Sequence, residues 1–468
     1  MATAHSRARD QAISEYVAFL KSQGGDGWPD FNVRNFDKLF APPKLGVILK
    51  IFHAAFDLIF PYLKTDLFNR VPGRTIAIDG TFKFLSKTKN DKGSSEETKC
   101  LHMVYGQYGY LMTWGFSGPE NDECFQRLLW YLRNRCERLG QEHVDAVRAC
   151  YSDTCCQGLD DPTTHWITKI FPNCKRAPHK DLFHAGKKLT DATQPLHELS
   201  PVFNQLVTSS LLRFDQSSVN HVVKCYLKNT KQNLALELAR EQMMKLKVWR
   251  NKVKNYAPPR DKVETDLREA YATIETEDFK LKHAKSLEGE GYLPLLLSAK
   301  RGVRLGTENE LKNLLLHVKK GCCEDPFPLE DINVAVDPHD DFTDFVRDRG
   351  TSQGESFHRL LNQLVNELTI QGPELGDKKL WLRGTRFNLA KDLLLQKLLK
   401  IEKVRTMDWY IHQALLEQHP TLSIYQGYDF PNVVDESYNE PIGISYGRCK
   451  DWQTVNQQID TLIQTGSS

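Results

Sequence analysis

Three acids stand in surroundings that could put them to chemical use: Asp79 in TIAIDGTFKF, Asp153 in AVRACYSDTCC and Glu355 in GTSQGESFHRLLNQLV. Alternating apolar residues place the first in a β-strand and the second at the C-terminal end of another, and the third opens a helix. Carboxylates delivered from three separate elements can hold two divalent ions about 4 Å apart, which activate an attacking oxygen and stabilise the leaving one in displacement at phosphorus. Mg²⁺ and Mn²⁺ suit such a site, because both prefer carboxylate oxygen and keep several waters. The chemistry to expect is phosphoryl transfer on nucleic acid with two such ions.

Each acid also has a plainer explanation. Asp79 precedes Gly80, and D-G is a hairpin-turn signal. Asp153 could cap the helix after its strand, and Ser352-Gln353-Gly354-Glu355 reads as an S-x-x-E capping box. On the first strand Ile76, Ile78, Phe82 and Phe84 share one face, which leaves Asp79 on the other with Ala77, Thr81 and Lys83. In the helix of Glu355 the apolar stripe is Phe357, Leu360, Leu361, Leu364 and Leu368, and Glu355 stands roughly opposite it. Periodicity alone does not choose between a cleft and bulk water for that polar face.

The elements that must position these acids follow from the chain's patterning. Its 468 residues, 40% hydrophobic and 26% charged, have an ordinary globular composition that excludes disordered and fibrous classes. A net charge of +2 means that any phosphate partner must meet local basic patches. MATAHSRARDQ holds no apolar h-region, so no secretory signal is expected. The run LGVILKIFHAAFDLIF, broken by Lys50, His53 and Asp57, reads as an amphipathic or core helix too short to span a bilayer, so no membrane partner is expected. Eleven cysteines without a C-x-x-C pair fit reduced intracellular thiols and offer no zinc-finger spacing.

Residues 1–70 read as N-terminal helices, among them QAISEYVAFLKSQ. From 71 to 190 the order is β-β-β-α-β-α-β. An antiparallel meander comes first, then the helix ECFQRLLWYLRNRCERLG with Phe125, Leu128, Leu129, Leu132 and Cys136 on one face, then the strand of Asp153, a helical THWITKIF and a strand-like APHKDLFHA. Residues 191–345 are helical and polar and read as an all-α insertion, since a compact domain would not hold so long a structureless loop. Helices return over 346–410, and 411–468 reads as an irregular tail rich in Pro, Tyr, Asn and Gly. The fold class expected is mixed α/β.

The motifs together resemble the eukaryotic Mutator-like DDE transposases. Asp79-Gly80-Thr81-Phe82 resembles that family's D-x-T-F strand, Ser152-Asp153 with Gly158-Leu159 its second-acid motif, and Glu355-Ser356 with Leu360 its E-S-x-x-x-L helix. Phe171-Pro172-Asn173-Cys174 followed by Asp181-Leu182-Phe183-His184 is similar to its C/D-x-x-H signature in the aspartate version. The resemblance implies an RNase H-like core (β-β-β-α-β-α-β-α) interrupted by the all-α insertion. It further implies a nuclear transposase that cuts the ends of its element and joins the 3′-OH to target double-stranded DNA as a homodimer or higher oligomer. Asp79, Asp153 and Glu355 would hold the metals, and His184 would contact the scissile phosphate or tune a ligand, its ring oriented by Asp181. Asp181 and His184 read equally well as a simple helix start. A zinc-finger region of the kind many members carry is missing or lies outside this chain, and the alternative this leaves is a domesticated DNA-binding or scaffold protein without cleavage.

Two basic features could contact DNA phosphates: Lys187-Lys188, and a helix carrying Lys245, Lys247, Arg250, Lys252 and Lys254 around Trp249. A charge run is more often a solvated face. His165, Cys174, His179 and His184 fit no zinc module and read as core thiols and surface imidazoles. Met243-Met244 and the leucines of 393–399 read as packing.

Overall fold

The computed structural model describes residues 45–82, 99–118, 121–156, 159–230, 235–245, 247–288, 291–296, 306–350, 352–367, 373–401, 405, 407, 410, 440–442 and 452–465. The N-terminal QAISEYVAFLKSQ and Gly158 lie outside them. The chain divides into two compact units, residues 1–62 with 410–423, and 63–409 with 424–468. Helix α1, Leu45–Phe68, begins in the first and ends in the second. Its 24 residues, running on past Pro61, make it long and apolar enough to cross a membrane, a length the interrupted apolar run did not suggest. In the second unit its last turn is buried through Leu63, Leu67 and Phe68, and its Asp66 accepts from Arg70 at 3.1 Å and Arg405 at 3.0 Å.

Among the described residues, five strands form one mixed sheet in the order β3-β2-β1-β4-β5. They are β1 (Thr75–Thr81), β2 (Cys100–Gly106), β3 (Leu111–Ser117), β4 (Ala149–Ser152) and β5 (His179–Lys180). The first three form the expected antiparallel meander, while β4 joins β1, and β5 joins β4, in parallel. Every residue of β2 and β3 is buried, as a sheet covered on both faces requires. One cover is α2, Asp122–Leu139, capped by the Asn121 side chain on Cys124 N–H at 3.1 Å. Its Phe125, Leu128, Leu129, Leu132 and Cys136 pack on Ile76, Ile78, Val104 and Cys150. Each fully buried leucine contributes about 1.5–3 kcal/mol. Phe82, expected on this face, is 50% exposed because β1 ends one residue earlier.

After β5 come α3 (Leu182–Asp191), α4 (Ser200–Leu211), α5 (Gln216–Thr230), α6 (Leu236–Lys245), α7 (Arg260–Leu287) and α8 (Thr307–Lys319). Helices α3, α4, α7 and α8 share one core through Leu189, Phe203, Val207, Leu267, Ile274 and Leu315. The segment is not purely α-helical. Arg213–Phe214 pairs with Asn255–Tyr256, and Asn333–Ala335 with Phe345–Arg347, in short antiparallel ladders.

The other cover of the sheet comes from far along the chain. Helices α9 (Ser352–Glu367) and α10 (Pro373–Leu394) follow the inserted segment. Trp381 of α10 meets Trp114 of β3 edge to face, centroids 4.7 Å apart, and the Asn388 amide exchanges two hydrogen bonds with the Leu111 backbone at 2.8 and 2.9 Å. The tail carries α11, Trp452–Thr465, instead of irregular chain alone. Trp452, Val455, Ile459 and Leu462 recur at helical spacing, and Trp452 and Leu462 pack against the α2 side of the core.

Burial of two imidazoles makes the fold acid-sensitive. His179, 6% exposed, and His165 are both pushed down to about 4, chiefly by desolvation. An unfolded imidazole titrates near 6.5, so between about 6.5 and 4 the unfolded chain binds more protons than the folded one. Stability should be intact above about pH 6.5 and fall through that window, by about 3 kcal/mol per ring once below it. Urea midpoints measured across the window should drop less steeply for His179→Gln than for the native chain.

Candidate active site

Parallel pairing of β1 with β4 brings Asp79 and Asp153 side by side. The register pairs Ala77 with Tyr151 and Ile78 with Ser152, so the next residue on each strand is one of the two acids. Ile76, Ile78 and Cys150 face α2, and alternation therefore sends Asp79 and Asp153 to the opposite face of the sheet. Asp153 stands just past the end of β4, where the ladder has ended and its carboxylate is one-third exposed.

Three basic side chains ring the pair. Lys188 Nζ lies 3.2 Å from Asp153 Oδ2, and His184 Nδ1 lies 3.9 Å from Asp153 Oδ1. His358 Nε2 lies 3.5 Å from Asp79 Oδ2. The buried Lys180 donates to the Asp153 carbonyl at 3.0 Å, which fixes the strand end. Asp153 Oδ1 is buried and accepts no hydrogen bond, so acceptor capacity is left for a cation. Glu355 lies in the first turn of α9, one turn before His358, and its side chain is outside the described residues.

Asp181 works through the backbone. It is the N-cap of α3 and accepts the His184 N–H at 3.0 Å, so it holds in place the helix that carries His184 and Lys188. Its Oδ2 lies 2.6 Å from where a Cβ on Gly350 would be, and Gly350 has φ +66°. The residues before Gly350 are anchored by ionic contacts: Asp348 accepts from Arg74 Nε at 2.8 Å and from the Thr75 hydroxyl, and Arg349 pairs with Asp325. Burial pushes the Asp348 carboxyl above its usual range, with Thr75 and Arg74 opposing. Gly350→Ala should cost about 1–2 kcal/mol for the left-handed backbone alone and should also displace Asp181. Chemical denaturation together with the His184 imidazole shift in an NMR spectrum checks both effects.

The basic residues divide. Lys187 and Lys188 are both exposed on α3, Lys188 beside Asp153 and Lys187 over the Phe183 ring. Lys245 to Lys254 do not form one helix, because α6 ends at Lys245 and a 3-10 turn, Lys247–Lys252, follows. Trp249 is buried against Phe214, centroids 4.8 Å apart, and so cannot stack on a base. Lys252 donates to Phe342 O at 2.8 Å and pairs with Asp344, and Lys254 pairs with Glu330. Arg250 and Lys245 are exposed, and the Lys247 side chain is outside the described residues. Internal acids thus occupy much of the charge that a phosphate would need.

His165 and His179 are buried, not surface, imidazoles, and Cys174 sits in the core under α2 with its thiol toward Val147 O. The cysteines that do gather are Cys155, Cys156 and Cys322, together with His317. A hydrogen bond from Cys322, aided by His317 and Lys180, outweighs burial and holds the Cys155 thiol below its usual range, while the same contact and burial push Cys322 up. Sequence reading missed this group and also His358. The adjacent cysteines Cys155-Cys156 and Cys322-Cys323, and the H-x-x-x-x-C spacing of His317 and Cys322, were its traces. No family model, curated protein or solved structure matches the chain.

Proposed function

We propose that the chain is a metal-dependent DNA transposase of the DDE type, similar to the Mutator-like family, in which Asp79, Asp153 and Glu355 hold two Mg²⁺ or Mn²⁺ ions. The observation that carries this reading is the side-by-side delivery of Asp79 and Asp153 by parallel strands, with the helix of Glu355 brought to Asp79 through His358. The strand order β3-β2-β1-β4-β5, three antiparallel strands followed by two parallel ones, is the order of an RNase H-like core and supports the same reading. The acids come from strand, strand end and helix start, and the spare acceptor on Asp153 fits an oxygen-coordinated cation.

When bound, the ions would activate the attacking oxygen and neutralise charge on the leaving one. The protein's own residues do the positioning. Lys188 and His184 place positive charge beside Asp153, where a scissile phosphate would need it, and the His358 imidazole stands beside the Asp79 carboxylate. Lys187 extends the basic edge toward solvent and would add salt-dependent contacts to the DNA backbone. Two element ends must be held together for transposition, so an assembly of two or more copies is part of the proposal.

The test is cleavage and strand transfer on double-stranded DNA carrying the flanking repeats, with Mg²⁺, Mn²⁺ or chelator, for the native chain and Asp153→Asn. Metal-dependent products that vanish in the variant support the proposal. Retained DNA binding without products from the native chain would replace it with the domesticated binder.

A further inference from the structure

We propose that Cys155, Cys156, His317 and Cys322 form a tetrahedral Zn²⁺ site that fastens the helical segment to the end of β4. The inference stands on these four residues and does not require the transposase reading. Their ligand atoms all lie within 4.8 Å of one another. His317 Nδ1 is 3.2 Å from Cys155 Sγ and 3.4 Å from Cys156 Sγ. A tetrahedral zinc ion with ordinary bond lengths separates sulfur from nitrogen by about 3.6 Å and sulfur from sulfur by about 3.8 Å. The cluster is therefore close to the size the ion needs.

Local structure explains how ligands so far apart in sequence meet. Helix α8 ends in a Schellman turn: Cys322 N–H donates to His317 O at 2.9 Å and Gly321 N–H to Val318 O at 2.9 Å. Gly321 takes φ +69°, which reverses the chain and returns Cys322 to the side of His317. Cys155 and Cys156 follow Asp153 at the end of β4, and Cys322 O accepts from Lys180 N–H of β5 at 2.7 Å, which ties the turn to the sheet edge. All three thiols are buried, with Ala177 as their apolar neighbour.

Three sulfurs and one imidazole are a donor set that selects zinc over oxygen-preferring ions, and four protein ligands leave no open position, as in structural sites. Binding releases to solvent the protons of whichever thiols are still protonated, and the ion with three thiolates carries one net negative charge. Arg176 supplies the counter-charge, with Nη2 3.9 Å from Cys322 Sγ and donating to Lys320 O at 2.8 Å. A cleft of about 580 Å³ lined by Asp153, Cys156, Lys180, His317 and Lys320 gives the ion a path from solvent. The ion would then hold the loop that starts two residues after Asp153.

The experiment is metal analysis of the full chain purified under reducing conditions, with Co²⁺ substituted for Zn²⁺ as a spectroscopic probe. One zinc per chain is expected, with sulfur-to-cobalt charge-transfer and tetrahedral ligand-field bands in the substituted protein. Cys322→Ser and His317→Ala should lose the ion to a chelator that the native chain resists, while Cys323→Ser and Cys174→Ser should keep it. If the ligand variants fail to fold, alkylation of the native chain decides. Zinc should protect Cys155, Cys156 and Cys322, and chelator should expose them. A native chain that takes up neither ion in a sulfur-ligated tetrahedral form would overturn the proposal, as would a Cys155–Cys322 disulfide in the purified chain.

Discussion

Asp153→Asn is expected to lower metal-dependent DNA cleavage by at least about 10²–10³-fold, the scale on which one preorganised electrostatic group acts in an active site. The substitution keeps the shape of the side chain and removes the charge that would hold a cation, so the loss belongs to the rate and not to the fold. The partners of Asp153 support that separation. Lys188 is half exposed and His184 approaches only to 3.9 Å, and such a surface pair contributes at most about 1 kcal/mol. Denaturation curves of the two proteins should nearly coincide while their cleavage rates differ by orders of magnitude. Equal loss of stability and activity would instead place Asp153 among the structural residues, as an ordinary strand-end acid.

Arg135→Ala should be among the most destabilising single changes in the chain, at about 3–5 kcal/mol. Arg135 lies in α2 and is 1% exposed. Its guanidinium donates to Leu67 O at 2.9 Å and Met112 O at 3.0 Å, and its Nε lies 3.4 Å from the carboxylate of the buried Glu440. Truncation removes one buried donor from each of the Leu67 and Met112 carbonyls and takes the cation away from a buried carboxylate, and breaking such a pair costs far more than forming it gained. Arg135→Met combined with Glu440→Leu removes both charges together and should recover part of the loss. Urea unfolding of the native chain, the single variant and the double variant measures this directly.

Local period is what the sequence carried well. The meander and α2 follow from alternation and from apolar residues three and four apart, and both are set by the nearest few neighbours. Asp79 and Asp153 stood out for a related reason, as acids in or at the end of apolar strands. Their adjacency depends on β1 pairing with β4 across the whole of β2, β3 and α2, which no local pattern encodes. His358 was hidden because its partner lies on β1, and Arg135 because a buried arginine looks like any helix charge until Glu440 arrives. Burial of Trp249 and pairing of Lys252 and Lys254 removed a basic helix that composition alone suggested. The cysteine cluster was overlooked because its two halves belong to segments joined only in the fold. The C-terminal helix was masked by the composition of the residues before it.

The late arrival of α10 has a consequence for synthesis. By the time Lys180 has been translated all five strands of the sheet exist, yet the face bearing Trp114 waits for Trp381. That is about two hundred residues of further translation, or about 10–40 s at ordinary elongation rates of 5–20 residues per second. Throughout that interval the nascent chain presents an aromatic, water-averse face beside the strands that carry Asp79 and Asp153. A chaperone that shields such surfaces would meet its substrate there, well before the chain leaves the ribosome.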